Sequence, residues 1–403
     1  MEWLFWGSLS LIFYTYLGYG IVVAILIGLR NAWKATGKRE SVEVSASDIT
    51  DDLLKQKVED LPHVTLVIAA WNERSILGDK VEDIRRLTYP PGKLDVAFVT
   101  DGSDDGSESW LRSNTDFDVY HEEARLGKTA ALNRVMLLIE TPIVVFTDAN
   151  THLHPEAIQR LVAPYADPRV GAVSGEKRVG LFDTDKAHGA GEGLYWRYES
   201  FLKKMDFRLH TVVGAAGELF SVRTDLFQAV PEDTILDDFM ITLGIVDRGY
   251  RTAYVADSWA LEAPSASLAD EWKRKTRICA GGFQSMLRLP GMLNVFRHPV
   301  ATFQYVSHRL LRWAVAPFLL PLLLLSNAFL ASSSIFYSVV LALHLSFYAA
   351  AAWGWASRNS GSARKWLFTP LYFLMMNAAA WTGLWRYVRG NQSAAWIRAR
   401  RAG

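Results

Sequence analysis

Val96 to Ser107 reads V-A-F-V-T-D-G-S-D-D-G-S, an apolar run that ends at Asp101 in a Gly-Ser turn. Ile143 to Asn150, I-V-V-F-T-D-A-N, repeats the arrangement and ends at Asp148. Short apolar runs bounded by turn residues read as buried parallel strands, so both carboxylates emerge together at one sheet edge. A third acidic station, Asp237-Asp238 in I-L-D-D-F, follows farther along the chain. Carboxylates gathered at one edge need a cation or a proton to handle, which points to a diphosphate and metal site with a spare carboxylate for acid-base work.

Outward from these stations, β-type runs at Val64 to Ala69, Gly171 to Ser174 and Thr252 to Ala256 alternate with helical patterns such as Pro155 to Tyr165 and Phe239 to Arg248. That alternation predicts a Rossmann-type α/β domain over 63–265 with a mostly parallel sheet. The 403 residues carry a net charge of +1, which gives no reason to expect nucleic acid as a partner. Cys279 is the single cysteine, which excludes an intramolecular disulfide or a thiolate zinc cluster and fits a reducing compartment.

The apolar residues concentrate at the two ends. Leu4 to Leu29 holds no charged residue, and at about 1.5 Å per residue it crosses a hydrocarbon core of roughly 30 Å. Glu2 in place of a basic leader and the absence of a small-x-small cleavage pattern favour an anchor, residues 1–30, over a signal peptide. Arg30, Lys34, Lys38 and Arg39 follow it, so the positive-inside bias predicts an N-terminus outside and a cytoplasmic middle, in a multi-pass protein of the inner (plasma) membrane. Residues 31–62 read as a polar linker with one amphipathic helix around Asp52 to Val58.

From 266 to 312, cations such as Lys273, Arg274, Lys275 and Arg277 mix with Trp272, Ile278 and Phe283, as in helices lying at a membrane surface. About three transmembrane helices are expected over 313–388 (Trp313 to Leu330, Ile335 to Ala356, Trp366 to Trp385), then a basic tail at 389–403. An odd number of spans would put the tail outside, against the positive-inside bias; either the N-terminal span dominates the topology or one block is re-entrant.

Residue type alone leaves the stations open. Asp101 fits an Asx turn, Asn150 and Thr151 fit a helix N-cap, Asp237-Asp238 fit the acidic first turn of a helix, and Lys128 fits a solvated lysine. Gly127-Lys128-Thr129 is not a P-loop, because Glu122 stands where that pattern requires glycine.

Taken in order, however, the motifs resemble the family 2 glycosyltransferases, in the membrane-bound branch of hyaluronan, cellulose and poly-N-acetylglucosamine synthases. They are V-T-L-V-I-A-A-W-N-E at 64–73, V-T-D-G-S-D-D-G-S at 99–107, G-K-T-A-A-L-N-R at 127–134, T-D-A-N at 147–150, G-A-A-G-E-L-F at 214–220, L-D-D at 236–238, and K-R-K-T-R with G-G-F-Q at 273–284. The resemblance implies a GT-A-like fold with N- and C-terminal transmembrane helices and a nucleotide-sugar donor. Asp101, Lys128, Asp148, Arg274 and Arg277 would bind that donor. Asp148 and Asn150 would hold Mg2+ or Mn2+, Gly217 and Glu218 would line the acceptor, and Asp238, tuned by Asp237, would be the catalytic base.

Four positions depart from the family's pattern. Asn150 replaces the second acid of Asp-x-Asp, Asp237 replaces Glu, and Lys273 and Ile278 replace the Gln and Trp of Gln-x-x-Arg-Trp. Trp196, Trp259 and Trp272 are candidates to stand in for that missing Trp. The expected activity is inverting transfer of a hexosyl unit, from a UDP-sugar, to a glycan, with processive polysaccharide synthesis and export as its extended form. Transfer of a single sugar to a lipid acceptor, or an inactive scaffold subunit of a synthase complex, are the alternatives.

Overall fold

The computed structural model describes residues 1–36, 61–180, 188–357 and 365–394. The helix expected around Asp52 to Val58, and the tail from 395 onward, lie outside the described residues. Among them the strands are β1 (Val64–Ala70), β2 (Leu94–Asp101), β3 (Asp118–Glu122), β4 (Ile143–Asp148), β5 (His152–Leu153), β6 (Val170–Val179), β7 (Leu219–Arg223) and β8 (Arg251–Glu262). They form one sheet in the order β3-β2-β1-β4-β7-β6-β8-β5. The β1–β2, β1–β4, β2–β3 and β6–β8 pairings are parallel, whereas β7 runs antiparallel to both its neighbours and β5 to β8.

The apolar runs are continuous because the sheet is covered on both faces. Leu66 and Ile68 of β1 join Phe98 and Val145 in one core, while Val67 and Ala69 join Val99 and Phe146 in the other. In register, Ala69 aligns with Asp148 and Ala70 with Thr100, so Asp101 and Asp148 end neighbouring strands on the same edge. The helix Asp237–Asp247 starts with both acids in its first turn, as its sequence predicts.

Among the described residues, three helical runs are long and apolar enough to cross a membrane: Glu2–Trp33, Pro299–Ser333 and Ile335–Ala356. The last expected block falls in the helix Lys365–Val388, which is not among those three. Arg30, at the end of the first run, donates to the carbonyls of Leu209 (2.8 Å) and Arg208 (2.6 Å), closing the C-terminus of the helix His188–Leu209.

The segment 266–312 is largely helical, and several of its cations point inward. Ser267 caps the helix Leu268–Arg288 by accepting from the Asp270 N–H, and that helix buries Lys275, Thr276 and Cys279. The cause is the helix Lys365–Val388, which crosses it so closely that a Cβ on Gly383 would lie 2.7 Å from Cys279 Cβ. His308, Arg309 and Arg312, on the π-helical stretch Val306–Val315, are buried as well.

A Cβ at Gly282 would come within 2.4 Å of the Trp313 ring, whereas one at Gly244 would meet nothing within 4 Å. Gly282→Val should therefore destabilise the solubilised protein by roughly 1–3 kcal/mol through overpacking. Gly244→Ala, mid-helix, should stabilise it by about 0.5–1 kcal/mol. Thermal unfolding of the two variants against the parent checks the opposite signs.

Candidate active site

A cavity of about 1270 Å³ opens between the sheet edge and the apolar helices. Its walls include Lys128 and Asp148 from the domain's first half, Gly217 and Glu218 from the segment before β7, and Asp237 and Asp238 from the helix that follows. Arg274 and Arg277 reach it from the helix Leu268–Arg288. A much smaller cavity, lined by Asp101, Trp71, Arg125 and Gly127, adjoins it and shares Lys128.

The carboxylates tolerate one another because two lysines lie among them. Lys128 Nζ is 2.7 Å from Asp148 Oδ1 and 3.7 Å from Asp237 Oδ2. Burial opposes its charge, but Asp148 and Asp237 override that and hold Lys128 protonated, well above the ordinary range. Lys177, with a side chain 0% exposed, pairs with both Glu218 and Glu262. Burial alone would raise the Glu218 carboxyl; the Lys177 ammonium outweighs it and holds the group at about 2.

Two carboxyls are raised instead: Asp148, by burial that Lys128 opposes, and Asp238. Burial, and then the neighbouring Asp237 carboxylate, push Asp238 up to about 7, with Lys128 only partly opposing them. The chain makes room for this group at Gly217, where a Cβ would lie 3.2 Å from Asp238 Oδ2.

The matching family model, described as "Glycosyltransferase like family 2", covers residues 62–281. The chain belongs to this family. Among curated relatives it is 27% identical, over 57% of either chain, to a poly-beta-1,6-N-acetyl-D-glucosamine synthase of Staphylococcus aureus. It is 25% identical, over 56% of its own length and 49% of the other's, to a beta-monoglucosyldiacylglycerol synthase of Synechocystis. The chain thus spans about half the length of these curated relatives. Among solved structures, a mannosyltransferase from Pyrobaculum calidifontis in complex with GDP-Man and Mn2+ matches 96% of this chain and 98% of its own, with a TM-score of 0.67 at 20% identity. That likeness is one of fold, a GT-A glycosyltransferase architecture.

Against the family's pattern, most of the residues singled out in the sequence share the one cavity: Lys128, Asp148, Gly217, Glu218, Asp237, Asp238, Arg274 and Arg277. Two do not line it. Asp101 borders the smaller cavity, where its carboxylate accepts from the Gly127 N–H (2.6 Å) and from Arg134 (3.2 Å) and so braces the loop that presents Lys128. Beside it the Arg125 guanidinium stacks on Trp71 at 3.4 Å, and at Gly102, φ +63, a Cβ would run into Arg125, whose backbone N and Cα would lie 2.9 Å away. Asn150 donates its amide to Glu262 Oε1 at 3.1 Å. Arg274 forms a fork with Glu271, and Arg277 donates to the Ile235 carbonyl at 3.1 Å.

Glu262 and Lys177 were not legible in the sequence. Glu262 ends β8, lines the cavity, and supplies a carboxylate near the station where Asn150 lacks one. Of the three tryptophans that were candidates to replace the family's missing one, Trp196 lines the cavity. Trp259 instead packs against His154 and Arg178, and Trp272 against the cluster of Cys279, Ala379 and Ala380.

A hard divalent cation fits this donor set. Asp148, Asp237 and Asp238 share Lys128, and Glu218 and Glu262 share Lys177, so carboxylates outnumber ammonium groups at this end of the cavity. Among the described residues no group of three or more His, Cys, Asp and Glu is gathered around a single point.

Lys177→Met would leave two buried carboxylates without their cation. It should destabilise the protein by roughly 3–5 kcal/mol, read as a fall in the denaturant midpoint with the slope unchanged.

Proposed function

We propose that the chain is an inverting membrane glycosyltransferase that moves a hexosyl unit from a nucleotide-sugar, a UDP-sugar, to an acceptor hydroxyl. The observation that carries this is Asp238, a carboxyl held near pH 7 in a cavity that also holds cations and further acids. A base is most effective when its pKa lies near the working pH. Asp238 takes the acceptor's proton, the acceptor oxygen attacks the anomeric carbon from the face opposite the nucleotide, and the bond to the diphosphate breaks with its electron pair leaving on the phosphate. Lys128, Arg274 and Arg277 supply positive charge where that negative charge develops. Asp148, with Asn150 beside it, would hold Mg2+ or Mn2+, which when bound supplies further charge to the leaving diphosphate. Asp101 positions the nucleotide side by fixing the Gly127 loop. Gly217 and Glu218 form the wall against the acceptor.

The cavity's contact with the apolar helices supports an acceptor at the bilayer, with the α/β domain on the cytoplasmic side and the N-terminus across the membrane. The Staphylococcus relative, a poly-beta-1,6-N-acetyl-D-glucosamine synthase, supports a growing polysaccharide. The Synechocystis relative, together with Ile278 in place of the family's Trp, supports a single transfer to a lipid, and the length of the labelled product distinguishes the two.

The direct test is nucleotide release from a panel of UDP- and GDP-sugars, with Mn2+ or with chelator. The parent should turn over a UDP-sugar only with metal, and Asp238→Asn should lower kcat by about 10²-fold or more while leaving UDP affinity nearly unchanged. Full activity in Asp238→Asn would remove Asp238 from the base role.

Because Asp238 must be deprotonated to act, kcat/KM should rise as pH climbs through about 7. Asp237→Asn removes the like charge that raises this pKa, so the acidic limb of the pH profile should move to lower pH.

A further inference from the structure

The cavity has an inner half that the transfer step leaves unused. It lies between the N-terminal helix, the helix His188–Leu209 and the helix Lys365–Val388, with walls that include Tyr16, Tyr195, Tyr198, Phe373 and Asn377. The Tyr16 hydroxyl donates to Asn377 Oδ1 at 2.6 Å and ties two of these helices together.

Two arginines reach this half from the stretch Val306–Val315. Arg309 Nη1 lies 2.6 Å from Glu199 Oε1, and Arg312 Nη1 lies 2.9 Å from Glu199 Oε2, so two guanidinium groups share one carboxylate. Arg309 also donates Nε to the Val213 carbonyl at 2.9 Å. The nearby Asp206 carboxylate is already engaged, by His308 Nδ1 at 2.6 Å and by the Tyr19 hydroxyl. Apart from the Tyr198 ring, whose centre lies 5.7 Å from its Cζ, Arg312 has no such completion. Its side chain is 9% exposed, and its Nε and Nη2 are buried without a hydrogen-bond partner. Leaving N–H groups of a charged guanidinium unpaired in a buried site is costly, and their planar fork matches the oxygens of a phosphate.

We propose that the inner half binds a phosphate carried by the acceptor, with Arg312 as its principal ligand and Arg309 beside it. The proposal rests on the transferase reading above and names its acceptor class: a lipid-linked phosphate whose sugar hydroxyl reaches Asp238. Two observations argue for a lipid source. The walls around the arginines include Leu17, Phe373 and Met376 on apolar helices, so the anion arrives most readily attached to hydrocarbon. The volume of about 1270 Å³ exceeds the roughly 300–1,000 Å³ of an ordinary single-ligand pocket. No bond to this phosphate forms or breaks. The hydroxyl's proton goes to Asp238, the hydroxyl oxygen takes the anomeric carbon, the nucleoside diphosphate leaves, and the acceptor's own phosphate serves as an anchor.

The test titrates the full chain, in neutral detergent, with dodecyl phosphate, dodecanol, dodecyl glucuronide and inorganic phosphate. Tryptophan fluorescence provides the readout, because Trp196 and Trp313 line the cavity. Dodecyl phosphate should bind saturably, tighter than the other three, and undisturbed by saturating UDP. Arg312→Gln should weaken it roughly tenfold or more, Arg312→Lys should restore part of the loss, and both should bind UDP like the parent.

Several outcomes would overturn the proposal. Equal affinity in Arg312→Gln would remove the arginine, and competition by UDP would assign the site to the donor. Inorganic phosphate binding as tightly as dodecyl phosphate would remove the lipid, and tighter glucuronide binding would replace phosphate with carboxylate. Should Arg312→Gln lose UDP binding by misfolding, the parent's own titrations decide: saturable binding additive with UDP supports the site, and its absence refutes it. A chain that binds dodecyl phosphate but turns over no nucleotide-sugar would refute the transferase reading and leave the anion site standing.

Discussion

Burying lysine among carboxylates is the constraint on which the rest of the molecule depends. Lys128 between Asp148 and Asp237, and Lys177 between Glu218 and Glu262, let acids from distant parts of the chain crowd into one cavity without mutual repulsion driving the domain apart. Each lysine neutralises less charge than surrounds it. Burial, and then that remainder in the Asp237 carboxylate, raises Asp238 towards neutrality, and the uneven balance leaves a deficit that a divalent cation fits. An arrangement with one lysine per acid would be quieter and of less use.

The same cavity is the place where the α/β domain and the apolar helices become one structure. Trp313 lines it while pressing on Gly282 and Phe239, the residue that follows Asp238. The helix Leu268–Arg288 serves both parts, offering Arg274 and Arg277 to the cavity and Cys279 and Ala280 to the helix Lys365–Val388. Arg30 fastens the first apolar run to the end of the helix His188–Leu209. Movement of an apolar helix therefore has a short mechanical path to the wall around Asp238.

Much of this was legible in the sequence, for a physical reason. Strands buried on both faces leave unbroken apolar runs, and the carboxylates at Asp101 and Asp148 mark where those runs reach the edge. The helix start at Asp237-Asp238 carries its own dipole signature. Short strands such as β5 and β3 have too few residues for periodicity to register. Lys177 and Glu262 belong to strands whose local sequence says nothing about an ion pair formed 85 residues apart. Arg309 and Arg312 carry the composition of a membrane-surface helix, and nothing local to them encodes that Glu199 turns them inward. Asn150 carried half a message: the departure from two acids was visible, but not Glu262 beside it.

We propose the under-neutralised carboxylates around Lys128 as the donor site, with the membrane-side half of the cavity left for the acceptor. The decisive measurement is an experimental structure of the full chain with UDP and Mn2+. It should place the ion on Asp148, the diphosphate between Lys128 and Arg277, and leave the space around Arg312 open. A diphosphate lodged against Arg312, or an ion bound away from Asp148, would contradict the proposal.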